Sequence, residues 1–286
     1  MSRIVYVNGD MVPEAEARVS VFDRGFLMAD AVYEVTCVLG GRLVDFPGHM
    51  ARLRRSLQEL GMAEPMPEDA LLALHRELVD RNGITDGSVY LQVTRGAPGD
   101  RDFAHPDPAT PPTVVLFTQA HPGMAESPLA RTGLRVVSIP DLRWGRRDIK
   151  TTQLLYPSWG KMMARDRGAD DAWMVENGVV TEGTSNNAWI VRDGAIVTRR
   201  TGPEILSGIT RAAVMRVAES LQLRVEERAF TIPEAQGADE AFATSASLFV
   251  TAVVAIDGQE VGTGTPGPVA ARLREAYLEE ARRTAL

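Results

Sequence analysis

The stretch of sequence that decides the fold runs from Arg147 to Asn187. It begins with Arg147-Asp148-Ile149-Lys150-Thr151-Thr152-Gln153 and ends with Val180-Thr181-Glu182-Gly183-Thr184-Ser185-Asn186-Asn187. Between them lie an apolar, methionine-rich helical pattern and the alternating segment Ala172-Trp173-Met174-Val175, which is typical of a strand. One lysine therefore stands at the end of a strand-like run, and one glutamate stands in a tight glycine turn.

Lys150 is followed by a mostly uncharged run, from Thr151 to Gly160, which indicates that its side chain faces the interior. A lysine that is removed from water is a competent nucleophile toward an aldehyde, with which it forms a Schiff base. The ordinary alternative is a solvated surface charge. The residue and its neighbours leave both interpretations open.

Glu182 is surrounded by turn-forming residues, Thr181 on one side and Gly183-Thr184-Ser185 on the other. One interpretation is a polar hairpin corner with the carboxylate in water. The other is a carboxylate held against a protonated heterocycle nitrogen, where each charge offsets the cost of desolvating the other.

Two further segments offer hydrogen-bond donors to an anion. Ser207-Gly208-Ile209-Thr210-Arg211 opens a predicted helix, whose free N–H groups and dipole attract negative charge, and Thr210 adds a hydroxyl. Thr244-Ser245-Ala246-Ser247 follows a predicted strand and offers a second set of donors. Ordinary helix and turn capping is the alternative for each segment taken alone.

The composition is that of an ordinary globular chain of 286 residues with a net charge of −7, a length that predicts two domains. The acidic balance, without a basic stripe, argues against a nucleic-acid partner. The first residues lack the apolar core of a signal peptide, and the longest apolar stretch, Leu248 to Ile256, is too short for a membrane helix. With Cys37 as the only cysteine, these features predict a soluble, cytoplasmic protein without disulfides.

The sequence lacks the motifs of several other common kinds of functional site. The four histidines, at positions 49, 75, 105 and 121, are scattered, so we expect no metal site. There is no P-loop and no G-x-S-x-G nucleophile elbow. The segment from Gly262 to Gly267 matches a G-x-G-x-x-G string, but it contains a proline and has no room for the rest of a dinucleotide-binding unit. It predicts a turn with Pro268 at the start of a helix.

Hydrophobic periodicity predicts two αβ regions, residues 1–119 and 133–286, joined by a linker at 120–132. In the first region we expect strands at 4–7, 32–39, 88–94 and 113–118, with helices from Pro47 to Gly61 and Pro67 to Asn82. In the second we expect strands near 134–139, 172–176, 187–191, 195–198, 240–244 and 249–256, and helices near 157–168, 210–222 and 268–283. Residues 96–112 form a long loop rich in Gly, Pro and Asp, and loops of this length in a compact domain are commonly functional or mobile.

Several motifs, in this order along the chain, resemble those of the fold-type IV pyridoxal-phosphate aminotransferases, and most closely the D-amino acid (D-alanine) aminotransferase group. They are Asp23-Arg24-Gly25-Phe26, Asp30-Ala31-Val32-Tyr33-Glu34-Val35, His49-Met50-Ala51-Arg52-Leu53, Val93-Thr94-Arg95-Gly96, Asp148-Ile149-Lys150, Thr181-Glu182-Gly183-Thr184-Ser185-Asn186 and Gly208-Ile209-Thr210-Arg211. The resemblance covers nearly the whole chain. It implies a two-domain α/β (α+β) fold, with a smaller N-terminal αβ domain and a larger C-terminal αβ pseudo-barrel domain that binds the cofactor.

The resemblance also implies roles for individual residues. Pyridoxal 5′-phosphate would be attached to Lys150, which would also move the proton between substrate and cofactor, and Glu182 would pair with the pyridinium nitrogen. The remaining cofactor contacts, mostly around the phosphate, would come from Arg52, Leu206, Ile209, Thr210, Ser245 and Ala246. Tyr33 and Val35 would line the substrate side.

In the D-amino acid group, an arginine and a histidine two residues later bind the substrate carboxylate from a loop of the second subunit, beside a tyrosine that matches Tyr90. The candidate here is Arg101-Asp102-Phe103, in which Phe103 stands where the histidine would be. This departure favours tolerance of substrates that lack an α-carboxylate. The resemblance therefore implies a homodimer with an altered carboxylate site.

The function expected from the sequence is transfer of an amino group from a D-amino acid donor to a 2-oxo acid acceptor such as pyruvate or 2-oxoglutarate. The first alternative is an (R)-selective amine transaminase, or a dual-activity enzyme, because of Phe103. Aminodeoxychorismate lyase and a non-catalytic protein that binds the cofactor are further alternatives.

Overall fold

The structure is a computed structural model that describes residues 2–286. The chain folds into two compact units. Unit 1 contains residues 2–122, Ile149–Gln153 and Thr284–Leu286, and unit 2 contains Gly123–Asp148 and Leu154–Arg283. The segment that carries Lys150 thus belongs with the N-terminal residues, because Thr151 forms a bridge with Val32.

The first unit is built on an antiparallel sheet with strand order β2-β1-β6-β5-β3-β4. Helix α2 packs against β3 and buries one side, including Met50, Leu53 and Leu57. The elements are β1 (Ile4–Val7), β2 (Asp10–Pro13), α1 (Arg24–Met28), β3 (Ala31–Leu39), β4 (Arg42–Leu43), α2 (Phe46–Glu59), α3 (Glu68–Arg81), β5 (Gly87–Thr94) and β6 (Thr113–Ala120).

The second unit is built on a mixed sheet with the path β12-β11-β10-β13-β14-β7-β8-β9, and β15 pairs with β14. Strand β9, at one end of the path, lies beside β10, so the sheet curls into a half-barrel. The elements are α4 (Leu129–Thr132), β7 (Leu134–Pro140), α5 (Leu155–Asp166), β8 (Asp171–Glu176), β9 (Val179–Gly183), β10 (Asn187–Arg192), β11 (Ala195–Thr198), α6 (Ile209–Ser220), β12 (Arg224–Glu227), α7 (Ile232–Gln236), β13 (Glu240–Ser245), β14 (Phe249–Ile256), β15 (Gln259–Glu260) and α8 (Pro268–Thr284).

The core of the second unit consists of apolar residues from the sheet and the segments packed on it. Trp173, Ile190 and Phe230 are among its fully buried members. Strands β10 and β14 are buried along almost their whole length, so they read in the sequence as continuous apolar runs rather than as alternating ones.

The string from Gly262 to Gly267 is a turn that leads into α8 at Pro268, as the sequence predicts. A Cβ atom on Gly267 would collide with the side chain of Glu240, whose carboxylate accepts hydrogen bonds from the first N–H groups of α8. The glycine therefore permits the close approach of Glu240 to the start of α8.

Several elements escape the sequence patterns because they are short. These are β2, α1, β12, α7 and β15. Residues 123–132, expected to be a linker, contain a 3₁₀ turn and α4 within unit 2. Glu182 lies on strand β9, so the expected tight turn at this residue is wrong; the turn begins after Gly183. No helix among residues 2–286 is long and apolar enough to cross a bilayer.

Candidate active site

Lys150 is held beside β3 in unit 1. Its carbonyl oxygen accepts from the N–H of Tyr33 at 3.0 Å, and its own N–H donates to the Ser56 hydroxyl at 3.3 Å. The Nζ atom lies 4.1 Å from the centroid of the Tyr33 ring, within range for a cation–π interaction. The lysine is half-buried. This placement favours a restrained side chain over a freely solvated one.

The residue next to Tyr33 on β3 faces α2, because successive strand residues point to opposite faces. Glu34 is buried, and its carboxylate accepts from Arg52 at 2.8 Å and 2.7 Å and contacts His49 Nδ1 at 2.7 Å. Burial alone would raise the pKa of Glu34, but the Arg52 charge and the hydrogen bonds from Arg52 and His49 hold it well below its usual value. Arg52 is thereby fixed, with only 8% of its surface exposed.

A row of aromatic rings crosses the sheet beside Lys150. Tyr33 stacks on Tyr90 with 5.5 Å between centroids, and Tyr90 stacks on Phe117 at 4.7 Å. Val35 pairs with Tyr90 across β3 and β5, and the Tyr90 hydroxyl donates to Gln92. Burial raises the pKa of Tyr90, which keeps its hydroxyl protonated. Tyr33, Val35 and Tyr90, which the resemblance places on the substrate side, therefore lie together.

The candidate substrate loop is exposed but anchored. Phe103 has 77% of its surface exposed, and the Arg101 guanidinium lies 4.6 Å from its ring centroid. The buried Arg24 donates to the carbonyl oxygens of Asp102 and Ala104 at 2.6 Å and 3.1 Å. The loop backbone is thus fixed from inside unit 1, while Arg101 and Phe103 stack on each other outside it.

Glu182 is the centre of a polar cluster in unit 2, with only 4% of its surface exposed. Its carboxylate accepts from Arg143 at 2.6 Å, from Asn187 at 3.0 Å and from the N–H of Leu206 at 3.1 Å. Burial raises the pKa of Glu182, while the Arg143 charge opposes that rise. The interpretation of Glu182 as a solvated hairpin corner is wrong.

Arg143 is itself held by a second carboxylate. Asp141 accepts from its Nε at 3.0 Å and from its Nη2 at 2.7 Å, and Thr181 donates to Asp141 at 2.7 Å. Burial would lower the pKa of Arg143, but the two carboxylates outweigh burial and raise the pKa above its usual value, so Arg143 stays charged. Glu182 therefore lies beside a cation whose position is fixed.

The predicted anion donors lie next to this cluster. Helix α6 begins after Gly208, an N-cap residue with no side chain to cap it, and its first turn carries no acidic residue, so its first N–H groups, which have no partner inside the helix, suit an anion. A Cβ atom on Gly208 would collide with Oδ1 of Asn187, the residue that donates to Glu182. Asn187 also pairs with Thr244 across β10 and β13. Ile209 and Thr210 thus follow a glycine that lies beside Asn187, and Ser245 and Ala246 follow Thr244, the pairing partner of Asn187.

The family is decided by comparison with known proteins. The family model for class IV amino-transferases matches residues 31–256. The chain belongs to the class IV aminotransferases. The fold class and the resemblance inferred from the sequence are confirmed.

This class IV aminotransferase is similar in sequence to D-alanine aminotransferases and in structure to a branched-chain aminotransferase. It is 37% identical over 285 residues to a D-alanine aminotransferase of Bacillus licheniformis, covering 98% of this chain and 99% of that one. It is 35% identical over 273 residues to a D-alanine aminotransferase of Staphylococcus aureus strain COL, covering 96% of each. The branched-chain aminotransferase from Thermoproteus uzoniensis, solved with norvaline, superposes with a TM-score of 0.85 at 26% identity, covering 98% of this chain and 94% of that one.

The residues present in this class IV aminotransferase fit the cofactor implied by the resemblance. Unit 2 offers a buried carboxylate, Glu182, suited to a protonated ring nitrogen, and an uncapped helix start suited to a phosphate. Unit 1 offers a restrained lysine, Lys150, and a buried arginine, Arg52. The chemistry of each donor set matches one part of pyridoxal 5′-phosphate.

Sequence reasoning missed the supporting residues of this site. Glu34 and His49 occur in the quoted motifs, and the i, i+3 spacing of His49 and Arg52 on one helix face could have indicated a shared partner. Arg143 carries no such signal, because it stands in an irregular segment 39 residues from Glu182. Leu206 was expected at the cofactor, and its N–H is found on Glu182.

Proposed function

We propose that this enzyme transfers an amino group from a D-amino acid, such as D-alanine, to a 2-oxo acid, such as pyruvate or 2-oxoglutarate. The observation that carries the substrate class is near-full-length similarity to D-alanine aminotransferases of two bacterial genera. The cofactor is pyridoxal 5′-phosphate, which supplies an aldehyde to accept the amino group and an electron-withdrawing ring.

Lys150 is the nucleophile and the proton carrier in this proposal. Its amine would hold the cofactor covalently and would carry the proton that leaves the substrate carbon. The contact of Nζ with the Tyr33 ring and the backbone hydrogen bonds at 3.0 Å and 3.3 Å limit where the amine can lie. A base restricted to one face of a planar adduct removes the proton of one enantiomer only.

Glu182 keeps a proton on the cofactor ring nitrogen. Its raised pKa reflects the cost of burying a negative charge, which Arg143 offsets only in part, so a second cation brought against the carboxylate is stabilised. Arg143, Asn187 and the Leu206 N–H hold the carboxylate in one orientation before the cofactor arrives. This preorganisation makes the pairing directional.

The phosphate group is assigned to Arg52, to the start of α6 at Ile209 and Thr210, and to Ser245 and Ala246. Arg52 has a fixed guanidinium because Glu34 engages it through two hydrogen bonds. Thr210 is buried at the uncapped helix start. Both features lower the entropy that would be lost on binding an anion.

We further propose a homodimer, in which the Arg101–Phe103 loop of one copy serves the site of the other. In the single chain, large apolar side chains are exposed on both units, among them Phe26 at 70% and Leu155 at 84%. Exposed apolar patches of this kind mark interaction surfaces.

Buried Cys37, whose pKa is raised to about 12 by burial, is an unreactive thiol that fits the cytoplasmic location expected from the composition.

A second candidate function is favoured by one observation. Phe103 is exposed and stacks with Arg101. At this position an apolar ring therefore stands in place of a polar partner for a substrate carboxylate. An (R)-selective amine transaminase must accept a substrate that lacks a carboxylate, which an apolar ring at this position would favour. Comparing kcat/KM for D-alanine and (R)-1-phenylethylamine separates the two functions.

The proposed function is tested by the absorption spectrum of the purified holoenzyme before and after D-alanine is added without an acceptor. We expect loss of the band of the lysine-bound cofactor and growth of the band of its aminated form. A cofactor band that responds to L-leucine and not to D-alanine would contradict the D-amino acid assignment, and one that responds only to (R)-1-phenylethylamine would favour the second candidate. A protein that takes up no pyridoxal phosphate would contradict the whole proposal.

A further inference from the structure

Helix α8 braces the strand that precedes the Ser245–Ala246 turn. The carboxylate of Glu240, the first residue of β13, accepts from the N–H groups of Val269 and Ala270 at 2.9 Å each. These are among the first N–H groups of α8, which have no partner inside the helix. Gly267 lets the carboxylate come this close. The start of β13 is therefore fixed to the start of α8.

The same helix reaches the turn after β13 and the start of β14 through Arg274. Its Nη1 donates to the carbonyl oxygens of Leu248 and Val250 at 2.8 Å and 2.7 Å, and its Nη2 donates to the carbonyl oxygen of Ala125 at 2.8 Å. The side chain is partly buried. One guanidinium thus ties three backbone segments together, and two of its three acceptors flank Phe249 in the chain.

Phe249 holds an unusual backbone conformation at the end of the turn. Its φ is +58°, in the left-handed region that residues other than glycine rarely occupy, and its side chain is fully buried. Arg274 lies 5.4 Å from the centroid of its ring, and Tyr277 packs beside it at 6.1 Å. Two residues of α8 therefore hold Phe249 in a conformation that costs free energy.

The turn itself is closed by short-range hydrogen bonds. Leu248 donates its N–H to the Ser245 hydroxyl at 3.2 Å, and its carbonyl oxygen accepts from Thr251 at 2.7 Å as well as from Arg274. Ala246 has no hydroxyl, so the only donor it can offer an anion is its N–H, whose direction is set by the backbone. Backbone placement therefore decides how well this turn binds a phosphate.

We propose that Arg274 is a positioning residue for the phosphate group of the cofactor. It holds Leu248, Phe249 and Val250 so that the Ser245–Ala246 donors are oriented before the cofactor binds. This inference rests on the proposed function, which assigns Ser245 and Ala246 to the phosphate. Arg274 contributes through the backbone of the turn, and preorganised donors bind an anion more tightly because less order is lost on binding.

The test compares binding of pyridoxal phosphate and of phosphate-free pyridoxal to the apo forms of the wild type, Arg274→Gln and Arg274→Lys. The matched control is Arg282→Gln, which makes the same charge change at an exposed position on the same helix. We expect Arg274→Gln to raise the Kd for pyridoxal phosphate about tenfold, equivalent to roughly 1.4 kcal/mol. The Kd for pyridoxal should change less than about twofold, and Arg274→Lys should lie in between because one ammonium replaces a planar fork of donors.

An unchanged Kd for pyridoxal phosphate in both Arg274 variants would overturn the inference while leaving the proposed function intact. Equal weakening of the two ligands would also overturn it, since a merely structural role does not distinguish the phosphate. If Arg274→Gln fails to fold, the changes in Kd for pyridoxal phosphate and for pyridoxal are compared in Arg274→Lys instead, and that comparison decides whether the inference stands. Wild-type protein that binds no pyridoxal phosphate would instead refute the proposed function.

Discussion

At the scale of single residues, Lys150 and Lys161 provide a direct comparison. Lys150 is half-buried against Tyr33, whereas Lys161 has 45% of its side chain exposed, 3.4 Å from Asp171. We predict that Lys150→Ala lowers transamination by at least about 10³-fold, because it removes both the nucleophile and the proton carrier. Rates with D-alanine and 2-oxoglutarate, with the melting temperature as a folding control, give the answer.

Lys161→Ala is the matched control, and we expect it to keep both the turnover and the cofactor absorption band of the wild type. Turnover retained by Lys150→Ala, or lost in Lys161→Ala together with the cofactor band, would show that the lysines are assigned the wrong way round.

Glu34 gives a prediction about stability and pH. In the folded state its pKa lies below the usual value of 4.5, because Arg52 and His49 stabilise the carboxylate. The unfolded chain therefore takes up the proton first as the pH falls, so the stabilisation is complete above about pH 5 and is lost progressively below it. At pH 7 we predict that Glu34→Gln lowers the free energy of unfolding by about 3 kcal/mol, because Arg52 stays buried without its charged partner.

Denaturant unfolding of the wild type and of Glu34→Gln at pH 7 and pH 4 tests this sign. The difference in the free energy of unfolding between the two proteins should be smaller at pH 4 than at pH 7. A difference that stays constant, or grows, would mean that Glu34 is not ionised in the fold.

At the scale of elements, the start of α6 and the hairpin of β9 and β10 act together through Gly208. A Cβ atom there would collide with Asn187, which donates both to Glu182 and to the Leu206 carbonyl oxygen. We predict that Gly208→Ala displaces the Asn187 amide and raises the Kd for pyridoxal phosphate about tenfold, a loss of roughly 1.4 kcal/mol. Equilibrium titration of the apo protein measures this loss.

Gly237→Ala provides the comparison, because a Cβ atom there makes only an ordinary contact at 3.5 Å. Equal cofactor affinity in the two glycine variants would show that the contact between Asn187 and Gly208 is not needed for the site.

At the scale of the whole molecule, the assignment of the Arg101 loop to a second copy can be tested by subunit mixing. Lys150→Ala and Arg101→Ala protomers are each defective with D-alanine. If the loop acts in trans, a mixed dimer contains one site with both wild-type residues. After complete exchange of equal amounts, half of the dimers are mixed and have one intact site of two, so about a quarter of wild-type activity should return.

No gain above the sum of the two separate preparations would place the loop and the lysine in the same copy. Light scattering of the mixture confirms that the species measured is a dimer. A monomer that is fully active with D-alanine would remove the homodimer from the proposal.

The particular residues show which parts of the site a sequence exposes. Lys150, Glu182 and the donors around Gly208 stand in short contiguous motifs, so pattern and resemblance could name them as candidates. Glu34 lies inside such a motif, yet its role became visible only when α2 brought Arg52 and His49 to it. Their pairing follows from packing of a helix on a strand, which local periodicity does not specify.

The order of motifs and the alternation of apolar residues determined the family, the main strands and helices, and the candidates for the reactive residues, since each of these is recorded within a few consecutive positions. The tertiary structure decided the partners of those residues. Arg143 reaches Glu182 from 39 residues away, and Arg274 reaches Leu248 from 26 residues away. Such contacts depend on how elements fold back on one another, and in a buried, low-dielectric setting they control the charge and orientation of the residues that the motifs supply.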